Sequence, residues 1–233
     1  MALVSYSDSS VTSDDEDEDE TRPPVKRHKR SSSPQWIRNF PHVDGNWPSY
    51  VYFRVPMTAA MQAMTKFAME RVQRHASTIL NLVPIDTDEE NALHLSLSRT
   101  FVLKYAQIEP FVQALRLAVK YRKSFRAGFQ GHQVLINDEQ TRLFVTVPVL
   151  SGKVDVCHVI RCVDVAMAQF NLQEYYSDPI PHVSVAASTT IMPTLRESPN
   201  DREADNVPPC AYVDLTHIHA TIGNKHFSIP LLS

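Results

Sequence analysis

The sequence predicts an α+β fold in which a unit of strand, long helix and strand occurs twice. The 233 residues are 43% hydrophobic and 21% charged, which is typical of a globular chain that buries a sizeable core. Segments with alternating apolar residues predict strands, and segments with apolar residues three or four positions apart predict helices. Both kinds of segment follow in the same order in each half of the chain, which indicates a weak internal duplication.

The first 35 residues differ in composition from the rest of the chain. Residues 1–30 hold eight acidic residues and five Lys or Arg. Such a segment buries too little apolar surface to offset its ordering entropy, so we expect residues 1–35 to be a disordered acidic and basic tail. The basic cluster at 26–30 is of the kind that importins bind and predicts a nuclear location. A solvated tail is the alternative interpretation.

Residues 36–233 are expected to form the folded domain. They carry 18 acidic and 18 Lys or Arg residues, so a nucleic acid would have to bind at a local site and not across a wide positive field. Three cysteines with no metal-site spacing predict a reducing compartment. No apolar run approaches the roughly 18 residues of a membrane span, so no membrane partner is expected.

The first unit begins with a strand over residues 50–55. Pro56 is expected to start a helix that carries one apolar stripe. Residues 93–98 alternate and predict a second strand, and residues 109–123 predict a second helix. The stripe of the first helix consists of Met57, Met61, Met64, Ala68, Val72, Ala76 and Ile79.

The second unit repeats this order with a strand over 141–149, a helix over 153–170 and a strand over 181–186. Residues 190–209 predict a loop, and residues 213–222 and 227–232 predict closing strands on either side of a turn. In the strand over 141–149, one face is expected to hold Leu143, Val145 and Val147, and the other face Phe144 and Thr146.

The pattern His-x-Ser/Thr occurs five times. His75 lies in the first predicted helix, where positions two apart do not share a face, and His226 directly follows the turn. The remaining three, at His94, His182 and His219, lie on alternating strands. Positions i and i+2 of a strand point to the same side, so each imidazole projects together with its hydroxyl.

Two such pairs facing each other suit the cleavage of a phosphodiester. One neutral His takes a proton from the attacking hydroxyl and the other, protonated, gives one to the leaving oxygen. The Ser hydroxyls would bind the non-bridging phosphate oxygens. Spacing does not choose two of the three histidines, but His94 and His182 each end a duplicated unit, which favours them. A structural role for each ring, and a metal site built from His94, His182, His217 and His219, stay open.

Two motifs carry a resemblance to a known family. His94-Leu-Ser-Leu-Ser98 and Asp178-Pro-Ile-Pro-His182-Val-Ser-Val-Ala186 resemble the paired tetrapeptides of the two-histidine (2H) phosphoesterase superfamily. Flanking stretches resemble the branch of that superfamily that trims the 3′ end of spliceosomal U6 small nuclear RNA. The resemblance covers the chain from about residue 38 to the C-terminus. The flanking stretches are residues 38–47, 110–115, 170–179 and 223–231.

The resemblance implies an α+β fold of two pseudo-symmetric lobes with antiparallel sheets flanking a central cleft. The lobes would be roughly residues 36–125 plus the C-terminal strands, and residues 126–212. It also implies a monomeric, metal-independent 3′–5′ exonuclease without a cofactor, which acts on the single-stranded oligouridine tail of the U6 RNA. The 2′-hydroxyl of the penultimate nucleotide would attack its own 3′ phosphorus, releasing the last nucleoside and leaving a 2′,3′-cyclic phosphate. That lyase-type reaction requires RNA.

Residue roles follow from the same resemblance. His94 matches the proton acceptor and His182 the proton donor, and Ser96 and Ser184 match the phosphate-binding hydroxyls. Two other reactions stay open at this site, hydrolysis of 2′,3′-cyclic phosphates and hydrolysis of 2′–5′ linkages. A third alternative is a non-catalytic RNA-binding protein.

Three residues match nucleotide-binding positions of the family. Tyr176 matches an aromatic residue that contacts the terminal base, and base stacking tolerates any sequence. Pro181 lies where backbone atoms would read a uracil edge. A uridine-contacting amide maps to Asn137, but the stretch 133–141 is about two residues shorter than the family pattern, so Asp138 is the alternative at that position.

Overall fold

The computed structural model describes residues 43–76, 80–197 and 206–233. These residues contain three α-helices and eleven strands, together with short 3₁₀ helices and loops. They belong to one compact unit, Pro34–Ser233. The predicted tail over 1–35, its basic cluster and Ile79 lie outside the described residues. The helices are α1 (Ala59–Ala76), α2 (Ile108–Val119) and α3 (Lys153–Ala168). The strands are β1 (Asn46–Pro56), β2 (Val83–Pro84), β3 (Ala92–Ser96), β4 (Phe101–Lys104), β5 (Phe125–Phe129), β6 (Gln133–Ile136), β7 (Leu143–Ser151), β8 (His182–Ser188), β9 (Ala211–Leu215), β10 (His217–Ile222) and β11 (Lys225–Pro230).

The strands form one antiparallel sheet in the order β11-β10-β1-β3-β8-β7-β5-β9, with β4 beside β1, β2 beside β8 and β6 beside β7. The predicted α+β class with antiparallel strands is confirmed. The two lobes were expected to hold separate sheets, but β2 and β3 of the first half both pair with β8 of the second half, so the strands form one sheet. Strand β3 meets β8 at Leu95 and Val183.

One correction concerns residues 213–222, which were expected to form one strand. Thr216 interrupts them, because β9 pairs with β5 at one end of the sheet whereas β10 pairs with β1 near the other end. One residue separates strands that belong to opposite ends of the strand order. The sheet must therefore curl until its ends approach each other.

The strands bury one face and leave the other for polar side chains. In β1, Val51, Phe53 and Val55 are fully buried on one face, whereas Tyr50 and Arg54 on the other face are only half-buried. Tyr52, which shares that other face, is also buried, beneath the rings that surround it. Burying an apolar side chain such as that of Val51 or Phe53 stabilises the fold by about 1.5–3 kcal/mol. Alternation in β1 therefore fixes which face becomes the core.

Helix α1 buries the apolar stripe that the sequence predicts and packs against strands of the second half, β7, β8 and β9. Its start is corrected from Pro56 to Ala59. Pro56 still pairs with Ala92 as the last residue of β1. The Thr58 hydroxyl then accepts the backbone N–H of Met61 at 3.2 Å, as an N-cap does. The buried residues of α1 are Met61, Met64, Ala68, Val72 and Ala76.

Two helix ends also differ from prediction. Helix α2 ends at Val119, because residues 122–124 instead bond the backbone of Leu232 near the C-terminus. Helix α3 ends at Ala168, and Asn171 follows with a positive φ of 53°. Thr146, expected on the face opposite to Val145 and Val147, pairs with Ser184 after a register shift between β7 and β8, and it is fully buried.

Candidate active site

The two His-x-Ser patterns lie on adjacent strands. Leu95 of β3 and Val183 of β8 are directly opposite each other, and both are fully buried. Opposite residues of an antiparallel pair point to the same face, so the residues that flank them point to the other face. We call that other face of the sheet the histidine face. The side chains that share it at this junction are His94, Ser96, His182 and Ser184.

The register also sets the arrangement of these four side chains. Continuing the register from Leu95 and Val183 places His94 across from Ser184 and Ser96 across from His182, which makes the two histidines diagonal neighbours. In a regular ladder, diagonal neighbours are about 7–8 Å apart and their Cβ atoms are somewhat closer. From that separation two imidazole rings can reach opposite sides of one phosphate group, with a hydroxyl beside each ring.

His94 is held by aromatic rings and by a charged pair. Its ring centroid lies 3.9 Å from that of Tyr52 and 5.7 Å from that of Tyr50. Its Nε2 lies 3.9 Å from Oδ2 of Asp88. Burial lowers the pKa of His94, Asp88 acts to raise it, and Arg54 acts to lower it. The ring is therefore neutral near pH 7, as a proton acceptor must be.

His182 is oriented by its own chain. Its Nδ1 lies 2.6 Å from the backbone carbonyl oxygen of Ile180, so Nδ1–H donates to that carbonyl and Nε2 is left to exchange a proton. Burial lowers the pKa of His182, and the bond to Ile180 acts to raise it. A bound phosphate would also act to raise this pKa, because a nearby negative charge favours the imidazolium.

Arg54 is a site residue that the sequence alone did not reveal. It lies across from His94 in the pairing of β1 with β3. Its Nε lies 2.8 Å from Oδ2 of Asp88, and it also pairs with Glu90. The other oxygen of Asp88 accepts the backbone N–H groups of Glu90 and Ala92, each at 3.0 Å, which fixes the carboxylate. Arg54 alternates with Tyr50 and Tyr52 along β1, which indicates that the three side chains share a face. The sequence does not show that β3, with His94, is the strand next to that face.

Tyr176 belongs to a second cluster of side chains. Its ring is 42% exposed, so it is open to a stacking partner. The Arg99 guanidinium lies 4.5 Å from the ring centroid, and the Tyr176 hydroxyl donates to Asp138 at 3.2 Å. Arg99 and Asp138 also form an ion pair. Sequence patterns gave no sign of Arg99, which directly follows the β3 motif.

The segment that carries Tyr176 is anchored on α3. The backbone N–H of Tyr175 donates to Oδ1 of Asp164 at 2.7 Å, and Arg161 donates to the backbone carbonyl of Ser177. Asp164 is 6% exposed, and burial raises its pKa. Burial also raises the pKa of Tyr175, to about 12. Asp164 is therefore a positioning residue for the aromatic segment.

The structure does not support the nucleotide contact assigned to Asn137. Its Oδ1 accepts the backbone N–H groups of Thr141 and Arg142, and its amide donates to Glu139 and Thr141. The side chain therefore closes its own loop. In this short loop it is Asp138 that meets Tyr176.

Pro181 is buried and immediately precedes β8. Proline has no backbone N–H, and the Pro181 carbonyl oxygen accepts the N–H of Val149 at 2.9 Å. Only the second lone pair of that oxygen is left for a base. The reading of a uracil edge by Pro181 therefore stays a prediction with little support from these contacts.

The third strand pattern, at His219, does not join the His94 and His182 junction. Strand β1 separates β10 from β3, and Thr221 is buried against Tyr52 and His226. Within the described residues, no group of three or more His, Cys, Asp or Glu side chains is arranged to hold a metal ion. His94, His182, His217 and His219 therefore do not form such a group. Among the described helices, none is both long and apolar enough to span a membrane.

Comparisons with known proteins found a matching family model and similar curated proteins. The HVSL family, described as an uncharacterised conserved protein, matches residues 12–230. The U6 snRNA phosphodiesterase 1 of Drosophila melanogaster is 32% identical over 201 residues, which are 84% of this chain and 74% of that protein. The Homo sapiens protein of the same name is 30% identical over 98% of both chains.

Two solved structures share the fold. Kluyveromyces marxianus Usb1 with uridine monophosphate has a TM-score of 0.59 at 14% identity, covering 79% of this chain and 98% of Usb1. Escherichia coli LigT complexed with 3′-AMP has a TM-score of 0.52 at 11% identity, covering 80% of this chain and 95% of LigT.

Proposed function

Since this chain belongs to the HVSL family and to the family of the U6 snRNA phosphodiesterases, we propose that it is a 3′–5′ exoribonuclease. It trims the 3′ oligouridine tail of U6 small nuclear RNA by transesterification and leaves a 2′,3′-cyclic phosphate. The observation that carries this proposal is the placement of His94 with Ser96 and His182 with Ser184 on adjacent strands of one face.

The reaction begins at the penultimate nucleotide of the RNA. Neutral His94 takes the proton from the 2′-hydroxyl of that nucleotide, and the oxygen attacks the adjacent phosphorus. Ser96 and Ser184 donate hydrogen bonds to the non-bridging oxygens, where negative charge develops. As the bond from O2′ to phosphorus forms, the bond from phosphorus to O5′ of the last nucleoside breaks.

The leaving oxygen receives its proton from His182. Nδ1 of this ring donates to the Ile180 carbonyl, so the transferred proton comes from Nε2. The two proton transfers and the single displacement balance without water or a metal ion. The products are a free nucleoside and a chain that ends in a 2′,3′-cyclic phosphate.

Support for a uridine end comes from the relatives and from the Tyr176 cluster. The matched relatives are named for the U6 RNA, and one Usb1 structure contains uridine monophosphate. The exposed Tyr176 ring can stack on the terminal base. Asp138, which the Tyr176 hydroxyl reaches, can accept the N3–H of uracil.

The proposal is tested by one assay with two readouts. RNA with a 3′ oligouridine tail is incubated in EDTA with the wild type or with His182→Gln, and the RNA ends are identified by mass spectrometry. We expect trimming to a cyclic phosphate by the wild type and almost none by the variant. Undiminished trimming by the variant, or loss of wild-type trimming on chelation, would contradict the proposal. A linear monophosphate would instead support hydrolysis.

We also propose that the chain acts in the nucleus, on the basis of the basic cluster at residues 26–30. Deleting residues 1–35 and imaging the protein tests the role of that cluster, since an unchanged nuclear signal would remove it. The monomeric state implied by the resemblance stays a prediction.

A further inference from the structure

A cavity lies on the histidine face beyond His94, on the side away from β8. It has a volume of about 540 Å³ and is bordered by strands β1, β10 and β11 and by the end of β9. Volumes of 300–1,000 Å³ are usual for small-molecule sites. The Tyr176 cluster contributes no residue to it. The side chains that line it include Tyr52, Arg54, His217, His219, His226 and Ser228.

A row of rings connects this cavity to the reaction site. Tyr52 lies between His94, at 3.9 Å, and His219, at 5.7 Å, and His217 follows at 6.5 Å from His219. In the strand pairing, Tyr52 is opposite Ser96 on one side and opposite His219 on the other. A ligand bound to His94 therefore extends into the cavity by crossing a single strand.

The charges at the cavity do not favour a phosphate. Arg54 is already paired with Asp88 and Glu90, and Asp214 also borders the space. The pKa of His219 lies at about 4, first because of burial and then because of Arg54, so its ring is uncharged near neutral pH. What remains is the uncharged ring of His219 and nearby hydroxyl groups, with carboxylates at the edge of the space. Such groups hydrogen-bond the hydroxyls of a ribose and the edges of a base.

Building on the proposed function, we propose that this cavity holds the nucleoside on the 5′ side of the scissile phosphate. His94 deprotonates the 2′-hydroxyl of that nucleoside, so its ribose must lie on the His94 side of the phosphate. His182 protonates the leaving oxygen, so the terminal nucleoside lies on the other side, toward the segment of Tyr176 that leads into β8. The RNA thus crosses the sheet from β10 and β11 at its 5′ side to β8 at its 3′ end.

The test measures the coupling between a cavity residue and one base of the ligand. Two 5′-labelled oligouridylates carry a 2′-deoxy sugar at the penultimate position, which removes the attacking group and prevents cleavage. One keeps the penultimate uracil and the other is abasic there. Binding of both is measured by fluorescence anisotropy for the wild type, His219→Ala, Ser228→Ala and the control His158→Ala, which alters an exposed residue of α3.

We expect removal of the penultimate base to weaken wild-type binding about tenfold. His219→Ala should weaken binding of the base-containing ligand by a similar factor and add little for the abasic one. Ser228→Ala should act in the same direction, and its exposed position opposite His219 guards against misfolding of the first variant. His158→Ala should bind both ligands as the wild type does.

Equal weakening of both ligands by His219→Ala and Ser228→Ala would overturn the proposal. So would coupling to the terminal base and none to the penultimate base. Cleavage of all-ribose RNA by the wild type is measured in parallel. Its absence would contradict the proposed reaction, whereas loss of coupling with intact cleavage would contradict only the assignment of the cavity.

Discussion

Leu95 of β3 lies directly opposite Val183 of β8, and both side chains are completely buried. In the part of the chain that the structure describes, this apolar pair sets the register between the two strands that carry the His-x-Ser motifs. By fixing which way each strand faces, it places His94 and His182 on the same side of the sheet. A shift of one residue would turn one histidine into the core.

Substitution of either histidine is expected to cause a similarly large loss of activity. His94→Gln and His182→Gln should each lower kcat/KM on a 3′-oligouridylated RNA by about 10²–10⁴-fold, the usual contribution of a general acid or base. His158→Gln, on the exposed side of α3, should leave kcat/KM within about twofold of the wild type. A loss below tenfold for either site variant would contradict the two-imidazole mechanism.

The pH dependence should follow the surroundings of His94. Burial lowers the pKa of both His94 and His182, so the maximum of kcat/KM should lie below pH 6.5, the ordinary pKa of His. The ascending limb reports deprotonation of His94. Arg54→Gln removes a charge that lowers the His94 pKa, so this limb should move to higher pH. Asp88→Asn removes a charge that raises it, so the limb should move to lower pH.

This prediction is checked with pH profiles of kcat/KM for the two variants and the wild type, together with circular dichroism to confirm folding at each pH. Limbs that move in the same direction in both variants would show that Arg54 and Asp88 do not act on His94 through charge.

Asp164 should affect activity through Tyr176. Tyr176→Ala should weaken RNA binding by about 1–3 kcal/mol through loss of stacking. Asp164→Ala frees the backbone N–H of Tyr175 and should raise KM with a smaller change in kcat, whereas Asp164→Asn keeps an acceptor oxygen and should retain most of the affinity. Initial rates over a range of RNA concentrations check this. Equal effects of the Ala and Asn variants would contradict a positioning role.

Gly223 should be required for stability at the turn between β10 and β11. Its φ is +59°, and a Cβ at this position would collide with the ring of Trp47. Gly223→Ala should lower the free energy of unfolding by more than the 1–2 kcal/mol of the left-handed conformation alone. Gly131→Ala is the matched control, because its φ is +86° but nothing lies within 4 Å of an added Cβ. Urea titrations giving equal losses would exclude the contact with Trp47 as a cause.

Periodicity predicted the parts of the site that depend on a single strand. Alternation in β3 and β8 was enough to pair each imidazole with its hydroxyl, and the apolar stripe of α1 was enough to find the helix. The duplicated order favoured His94 and His182 over His219. In the sheet, β1 lies between β10 and β3, so His219 is not next to the junction of β3 and β8.

Features that depend on partners distant in sequence could not be predicted. Arg54 reaches the site only because β1 pairs with β3, and Arg99 meets Tyr176 only because the loop after β6 brings Asp138 to both. The amide of Asn137 could in principle bind a uridine, but it is engaged in hydrogen bonds within its own loop. The break at Thr216 likewise follows from closure of the sheet and has no local signal.

The central claim is that His94 and His182 act on one phosphate from opposite sides. It is tested most directly by a crystal structure of the protein with an oligouridylate that carries a 2′-deoxy sugar at the penultimate position. We predict that one ring nitrogen of each histidine lies within hydrogen-bond distance of oxygens on the phosphate between the last two nucleosides. A phosphate there that contacts only one of the two rings, or neither, would contradict the account.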